Sequence, residues 1–336
     1  MPGMHRTALL ATPPFFSLPH NEEAEEQGRA MPIWALYIFT VLIWGSSWYG
    51  IKEQLGVVAP TVSLAYRFLL AAAILWAFCA VTRRSLRFPL RSHLWMALQA
   101  FCLFCANYIL FYYAGMNVVS GLLALCFSTI SLMNVLNVAL FLREPIDGNA
   151  VLAGVVGLAG LVLVFLPEFQ QKGLGSAPLI GFGLSMLATY LASIGNILSV
   201  KLKTVNVPIV QANTWGMTYG GLLCAAFGLV TGAPFNYDPR VSYAVSMVLL
   251  AVFASVIGFG MYLTLVQKIG AGRAGFSSVL FPLVALSIST VFEDHHWTLL
   301  AFAGVVLVLS GNLILLLRKR APVPVPTPEL QKGPAQ

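Results

Sequence analysis

The sequence predicts an all-α integral membrane protein: ten transmembrane helices arranged as two inverted five-helix repeats. Three observations carry this expectation. The composition is too apolar and too poor in charge for a water-facing surface. Apolar stretches of spanning length recur along nearly the whole chain. The second half also repeats features of the first at a displacement of 150 residues.

Of 336 residues, 58% are hydrophobic and 9% are charged, against roughly 25% charged in a soluble domain. So few charges cannot cover a surface in water, which leaves lipid as the solvent for most of the exterior. The formal net charge is +7, but the basic residues sit in short gaps between apolar stretches. They form no continuous basic face, so nucleic acid is not an expected partner. Cys79, Cys102, Cys105, Cys126 and Cys224 all lie inside apolar segments. An odd number with no loop positions argues against a disulfide framework and for small buried hydrophobes. The Cys102-x-x-Cys105 pair has only Phe101, Leu103 and Phe104 around it, so packing is expected there too.

A spanning helix needs about 20 predominantly apolar residues. The candidates in the first half are Ile33–Ile51, Pro60–Ala80, Leu94–Tyr113, Val118–Leu142 and Ala150–Leu166. In the second half they are Pro178–Val200, Ile209–Thr231, Tyr243–Val266, Ala274–Phe292 and Trp297–Leu317. Residues 32–167 and 178–320 thus form the two repeats. Residues 1–31 read as a disordered polar tail, with Pro13-Pro14 and the acidic run Glu22–Glu26. No signal peptide is recognisable there, and Met31 is an alternative expected start. Residues 321–336 are Pro-rich and read as an extended, solvated tail.

Lys and Arg concentrate in cytoplasmic loops. With the N-terminus inside, that side holds Arg83, Arg84, Arg87, Arg91, Arg143, Lys201, Lys203, Lys268, Arg273 and Arg318–Arg320. The other side holds Lys52, Lys172 and Arg240. Both termini are therefore expected in the cytoplasm, in a plasma membrane of the bacterial inner-membrane kind.

At the 150-residue displacement Tyr112 falls on Tyr262, Ala124 on Ala274, Ser128 on Ser278, Leu136 on Leu286 and Leu163 on Leu313. The block Ala153-Gly154-Val155-Val156 falls on Ala303-Gly304-Val305-Val306 and weighs most. Five spans per half is an odd number, so the second half must enter the membrane upside down. Loop charges agree: the Arg-rich Arg83–Arg91 corresponds to Gly232–Arg240, which has a single Arg. Two inverted halves suit alternating access to a central site, which predicts transport of a small molecule.

Order and motifs together resemble the EamA-type members of the drug/metabolite transporter superfamily, over about Pro32 to Arg320. The residues that carry the resemblance begin with Trp44-Gly45-Ser46-Ser47-Trp48, Pro60 and Arg67-Phe68. They continue with Leu140-Phe141-Leu142-Arg143-Glu144 and Gly154-Val155-Val156. In the second half they are Pro282, Phe292-Glu293 and Gly304-Val305-Val306. The resemblance implies secondary transport through a central cavity, often export of amino acids, other metabolites or toxic compounds. Leu132 stands where the second half has Pro282, so no kink is expected in span four.

Arg67 lies about seven residues into span two, roughly 10 Å from its outer end. It either faces a cavity or an acidic partner, Glu53 being the nearest, or snorkels to the interface. Polar residues within spans are the other candidates for lining a cavity: Asn107, Tyr108, Tyr112, Asn134, Asn137, Tyr190, Ser193, Asn196, Trp215, Tyr219, Tyr262 and Ser278. Helix-to-helix hydrogen bonding is the competing use of such groups. Trp44 and Ser47 join them in span one, with Trp48 on the face of Trp44. Such a lining suits a partly apolar organic solute. Glu144 and Glu293, at span ends, are candidates for gating or coupling. His295-His296 lack further ligands, so no metal is expected. No phosphate-binding loop with a Lys is present, so no ATP and no cofactor is expected. An intramembrane enzyme would need His or Asp deep in a span, and none is there. A sensor without transport is the remaining alternative, though the chain has no soluble signalling domain.

Overall fold

A computed structural model of the chain describes residues 31–142, 148–172, 177–270, 274, 277–293 and 297–317. Glu144, residues 1–30 of the first tail and the whole of the second lie outside them. The described residues are helical throughout their ordered elements and contain no strand. In chain order the helices of the first half are α1 (Ile33–Glu53), α2 (Pro60–Val81), α3 (Leu90–Gly115), α4 (Ser120–Leu142) and α5 (Gly148–Lys172). Those of the second half are α6 (Ala177–Thr204), α7 (Ile209–Val230), α8 (Val241–Ile269), α9 (Ser277–Phe292) and α10 (Leu299–Leu317).

Six of these, α2 to α6 and α8, are long and apolar enough to cross a membrane. Among the described residues, α9 and α10 carry apolar stretches over Leu280–Phe292 and Leu299–Ile314. The helices α1 and α7 have the length, but Gly45-Ser46-Ser47 and Asn213–Gly216 dilute their apolarity. Starts follow local chemistry. Pro32, Pro60, Pro89 and Pro208 stand at or just before the first turn of α1, α2, α3 and α7, where a missing N–H costs nothing. That is why α3 begins at Leu90, four residues before the predicted Leu94.

The main helix pairings recur when the halves are exchanged. The helices α2 and α7 pack on each other, and so do α5 and α10. Likewise α1 packs on α8 and α9, as its counterpart α6 packs on α3 and α4. Small residues make the closest approaches. A Cβ on Gly304 would lie 2.6 Å from the Gly160 carbonyl oxygen, and one on Gly160 would lie 2.6 Å from that of Gly304. Only glycine lets the α5 and α10 backbones meet.

Two departures from the expected helices matter. Both α3 and α8 contain π-helical segments, Phe101–Ala106 and Leu250–Gly258. They occupy corresponding places in the two halves. Such segments re-aim the following turn and often mark functional sites. The second departure corrects the straight span four: α4 is interrupted at Thr129, between Ser120–Ser128 and Ile130–Leu142. No proline is involved. Thr129 Oγ1 donates to the Cys126 carbonyl at 2.7 Å and its N–H to the same carbonyl at 3.1 Å. Ser128 Oγ bonds back to Leu125 O at 2.7 Å. Hydroxyls returning to the preceding turn are a known cause of helix bending.

Candidate functional site

The two halves enclose a narrow cavity of about 30 Å³ where α1, α3, α4, α6, α8 and α9 converge. Its walls are mainly aromatic. Trp44 lies 4.8 Å from both Phe259 and Tyr262, and Trp48 lies 5.0 Å from Phe111. Phe127 and Phe281 stack at 6.2 Å and join the same cluster, Phe281 lying 5.7 Å from Trp44 and Phe127 5.6 Å from Trp48. The π-helical segment of α8 holds this wall together. Trp44 Nε1 donates to the Ala254 carbonyl at 3.0 Å. Gly258 admits the indole, because a Cβ there would meet Trp44 Nε1 at 2.5 Å.

Polar groups enter at defined points. Ser47, Asn107, Tyr108, Asn196 and Tyr262 line the cavity. Asn196 Nδ2 donates to Tyr262 Oη at 3.0 Å. Behind it Asn137 Nδ2 donates to Ser193 Oγ, which donates to Asn134 Oδ1, each at 2.8 Å. Ser193 and Asn196 share a face of α6, so one network joins α4, α6 and α8. Two acceptors facing this region, Asn107 Oδ1 and Asn196 Oδ1, are buried without a protein partner. Unfilled buried acceptors are costly, and a solute bearing N–H groups would fill them.

Arg67 stands one side chain behind the wall. It is 1% exposed, so it does not reach lipid. Nor does it pair with Glu53: its Nε donates to Ser255 Oγ at 3.0 Å, and it makes no ion pair among the described residues. Its guanidinium lies 4.8 Å from the Tyr108 ring and 5.3 Å from that of Phe68. Tyr112, predicted for the cavity, stays behind Tyr108 and donates to Gln54 Oε1 at 2.6 Å. Arg67 Nη1 has no partner. The corresponding position in the second half is Met217, also buried, so this charge breaks the internal symmetry.

The remaining predicted residues lie elsewhere. Ser278 Oγ contacts the Ser128 carbonyl at 3.5 Å, joining α9 to α4. Trp215 and Tyr219 stack at 5.4 Å beside His93, whose Nδ1 lies 2.8 Å from Tyr219 Oη, away from the cavity. Tyr190 is 36% exposed on the outside of α6. Sequence reasoning selected such residues by polarity, and polarity does not say which way a helix faces. It passed over Phe111, Phe127, Phe259 and Phe281 because a phenylalanine inside an apolar span has no contrast with its neighbours.

Glu293 closes one end of the bundle. Its Oε2 accepts from the Ser120 N–H and from Ser289 Oγ, each at 2.9 Å, capping α4 from α9. Its Oε1 lies 3.6 Å from Lys52 Nζ of α1. A carboxylate at a helix N-terminus is favourable on dipole and hydrogen-bond grounds. Glu293→Ala is expected to destabilise the protein by about 1–2 kcal/mol, read as a lower melting temperature in detergent. Glu293→Gln, which keeps an acceptor oxygen for the cap, should lose less. Equal losses would mean that the Lys52 ion pair dominates.

A family model for EamA-like transporters matches residues 32–166 and again 179–317. The chain belongs to the EamA-like transporter family. It is a multi-pass membrane protein of a transporter family, as the apolar helices and the family together require. Protein PagO of Salmonella typhimurium is 23% identical over 299 residues, spanning 88% of this chain and 96% of PagO. A probable amino-acid metabolite efflux pump of Escherichia coli is 26% identical over 294 residues, covering 83% and 93% of the two chains. A solved crystal structure shares the fold with a TM-score of 0.63 at 18% identity, covering 83% of this chain and 94% of that one.

Proposed function

We propose that this EamA-family chain is a secondary transporter that exports amino acids, related metabolites or toxic compounds by alternating access. The observation that carries the reading is the enclosed aromatic cavity with unpartnered amide oxygens and a buried guanidinium behind one wall. Aromatic faces take an apolar side chain or a cationic amine. Asn107 and Asn196 accept from an ammonium group. Arg67 takes a carboxylate once Tyr108 turns aside, using its free Nη1. A zwitterion with an apolar side chain satisfies all three. The efflux-pump name of the Escherichia coli relative supports the direction.

The scaffold for this is ten crossings in two inverted halves, with both termini cytoplasmic in a bacterial inner membrane. Symmetric packing gives two interconvertible arrangements, one open to each side. Reporter fusions after Arg320 and within residues 170–176 should signal opposite sides; signals on one side would sink the topology. The functional reading is tested by counterflow in liposomes preloaded with single amino acids. Saturable, trans-stimulated uptake of a labelled apolar amino acid is expected. Flux that neither saturates nor responds to the preload would overturn the carrier.

A further inference from the structure

A second and larger space, about 630 Å³, runs between α1 and α8 on the outside of the bundle. Its rims are Leu42 on α1 and Val245 and Phe253 on α8, all about half exposed. From Leu42 to Glu53 the groove follows α1 for about 16 Å, at 1.5 Å per residue. That is close to half the ~30 Å hydrocarbon thickness of a bilayer, the depth of a single leaflet. The walls are apolar for most of this length, and Glu53, with Tyr49 one turn before it on α1, supplies the acidic group that lines them.

A cation stands next to that end. Arg240 Nη2 donates to the carbonyl of Leu55, two residues beyond Glu53, at 3.2 Å. Arg240 Nε donates to Asp238 Oδ2 at 2.7 Å, which fixes the side chain, and the guanidinium remains 47% exposed. The loop bearing it is tied to α1–α2 by Asn236 Nδ2, which donates to Val57 O at 3.3 Å. The groove therefore ends at the Glu53 carboxylate, beside an Arg240–Asp238 ion pair whose guanidinium is half exposed, with an apolar channel one leaflet deep beneath them.

We propose that this groove binds a phospholipid with a primary-ammonium headgroup. One acyl chain lies between α1 and α8, the ammonium donates to Glu53, and the phosphate accepts from Arg240. Arg240 is already paired with Asp238 at 2.6 Å, which leaves Glu53 to choose the headgroup: an anionic one is repelled by its carboxylate, and a quaternary ammonium has no N–H to donate to it. The site adjoins the solute cavity at Ser47, which lines both, and does not depend on which solute that cavity takes.

The test uses the full chain in nanodiscs of equal phosphatidylethanolamine, phosphatidylcholine and phosphatidylglycerol, released into native mass spectrometry. Phosphatidylethanolamine should be retained about tenfold over either of the others, a difference of ~1.4 kcal/mol. Glu53→Gln should erase that preference while the melting temperature stays near wild type. Val245→Trp, which fills the groove, should lower retention of all three. A phosphatidylethanolamine carrying a diazirine in its chain should label Leu42–Glu53 and Ser242–Phe253. Equal retention of the three lipids by wild type, or an unchanged preference in Glu53→Gln, overturns the proposal. Labelling spread evenly around the bundle, or a dimer whose interface excludes lipid from the groove, does so as well.

Discussion

Arg67→Ala is expected to lower counterflow per inserted molecule by roughly ten- to a hundredfold, with protein still reaching the membrane. A hydrogen bond involving a charged group contributes about 1.5–3 kcal/mol, and tenfold corresponds to ~1.4 kcal/mol. The structural reason is the isolation of the guanidinium. It is buried, bonded to Ser255, stacked on Tyr108 and Phe68, and opposed by no carboxylate among the described residues. A charge held this way without an acid has little structural justification, whereas a solute carboxylate would complete it. Arg67→Lys should recover little, because an ammonium keeps the charge but loses the planar fork that spans Ser255 and the Tyr108 face. Normal flux per molecule in Arg67→Ala would assign the residue to packing alone. Poor insertion with normal flux in the remaining protein would do the same.

The second large effect is on folding. Gly304→Leu should reduce the yield of folded protein sharply, with a destabilisation of about 3 kcal/mol or more. Its Cβ would approach Val164 Cγ2 at 2.5 Å and the Gly160 carbonyl at 2.6 Å. A backbone carbonyl cannot move aside as a flexible side chain can, so α5 and α10 must separate along their length. Gly183→Leu is the matched control: nothing lies within 4 Å of a Cβ there. Both substitutions add the same apolar bulk, so a membrane-insertion effect would be shared, and a packing effect confined to Gly304. Comparable melting temperatures for the two variants would refute the close α5–α10 contact.

These predictions differ in how far the sequence anticipates them. Gly154 and Gly304 stand out in the repeat, and small residues in apolar spans signal close helix contacts. Their partners do not stand out: Gly304 meets Gly160, which the repeat does not pair with it. Arg67 is conspicuous as a charge within a span. Yet the nearest acid in the sequence, Glu53, belongs to a different surface of α1, and Ser255 of the other half supplies the contact.

The sequence by itself determined that this chain is helical and lies in a membrane, where the helices run to within a few residues, and that its halves repeat. Those properties follow from hydrophobicity and local turn chemistry, which are summed along the chain. Tertiary structure alone decided which face of each helix looks inward. In a membrane the lipid-facing and protein-facing sides are equally apolar, so the periodicity that marks a buried face in water is weak. Hence Tyr190 faces outward and Phe259 inward, though polarity suggests the reverse. The break at Thr129 and the two π-helical segments were equally hidden. At Thr129 the break comes with hydroxyls that bond back to the preceding turn, a choice that residue type alone does not fix.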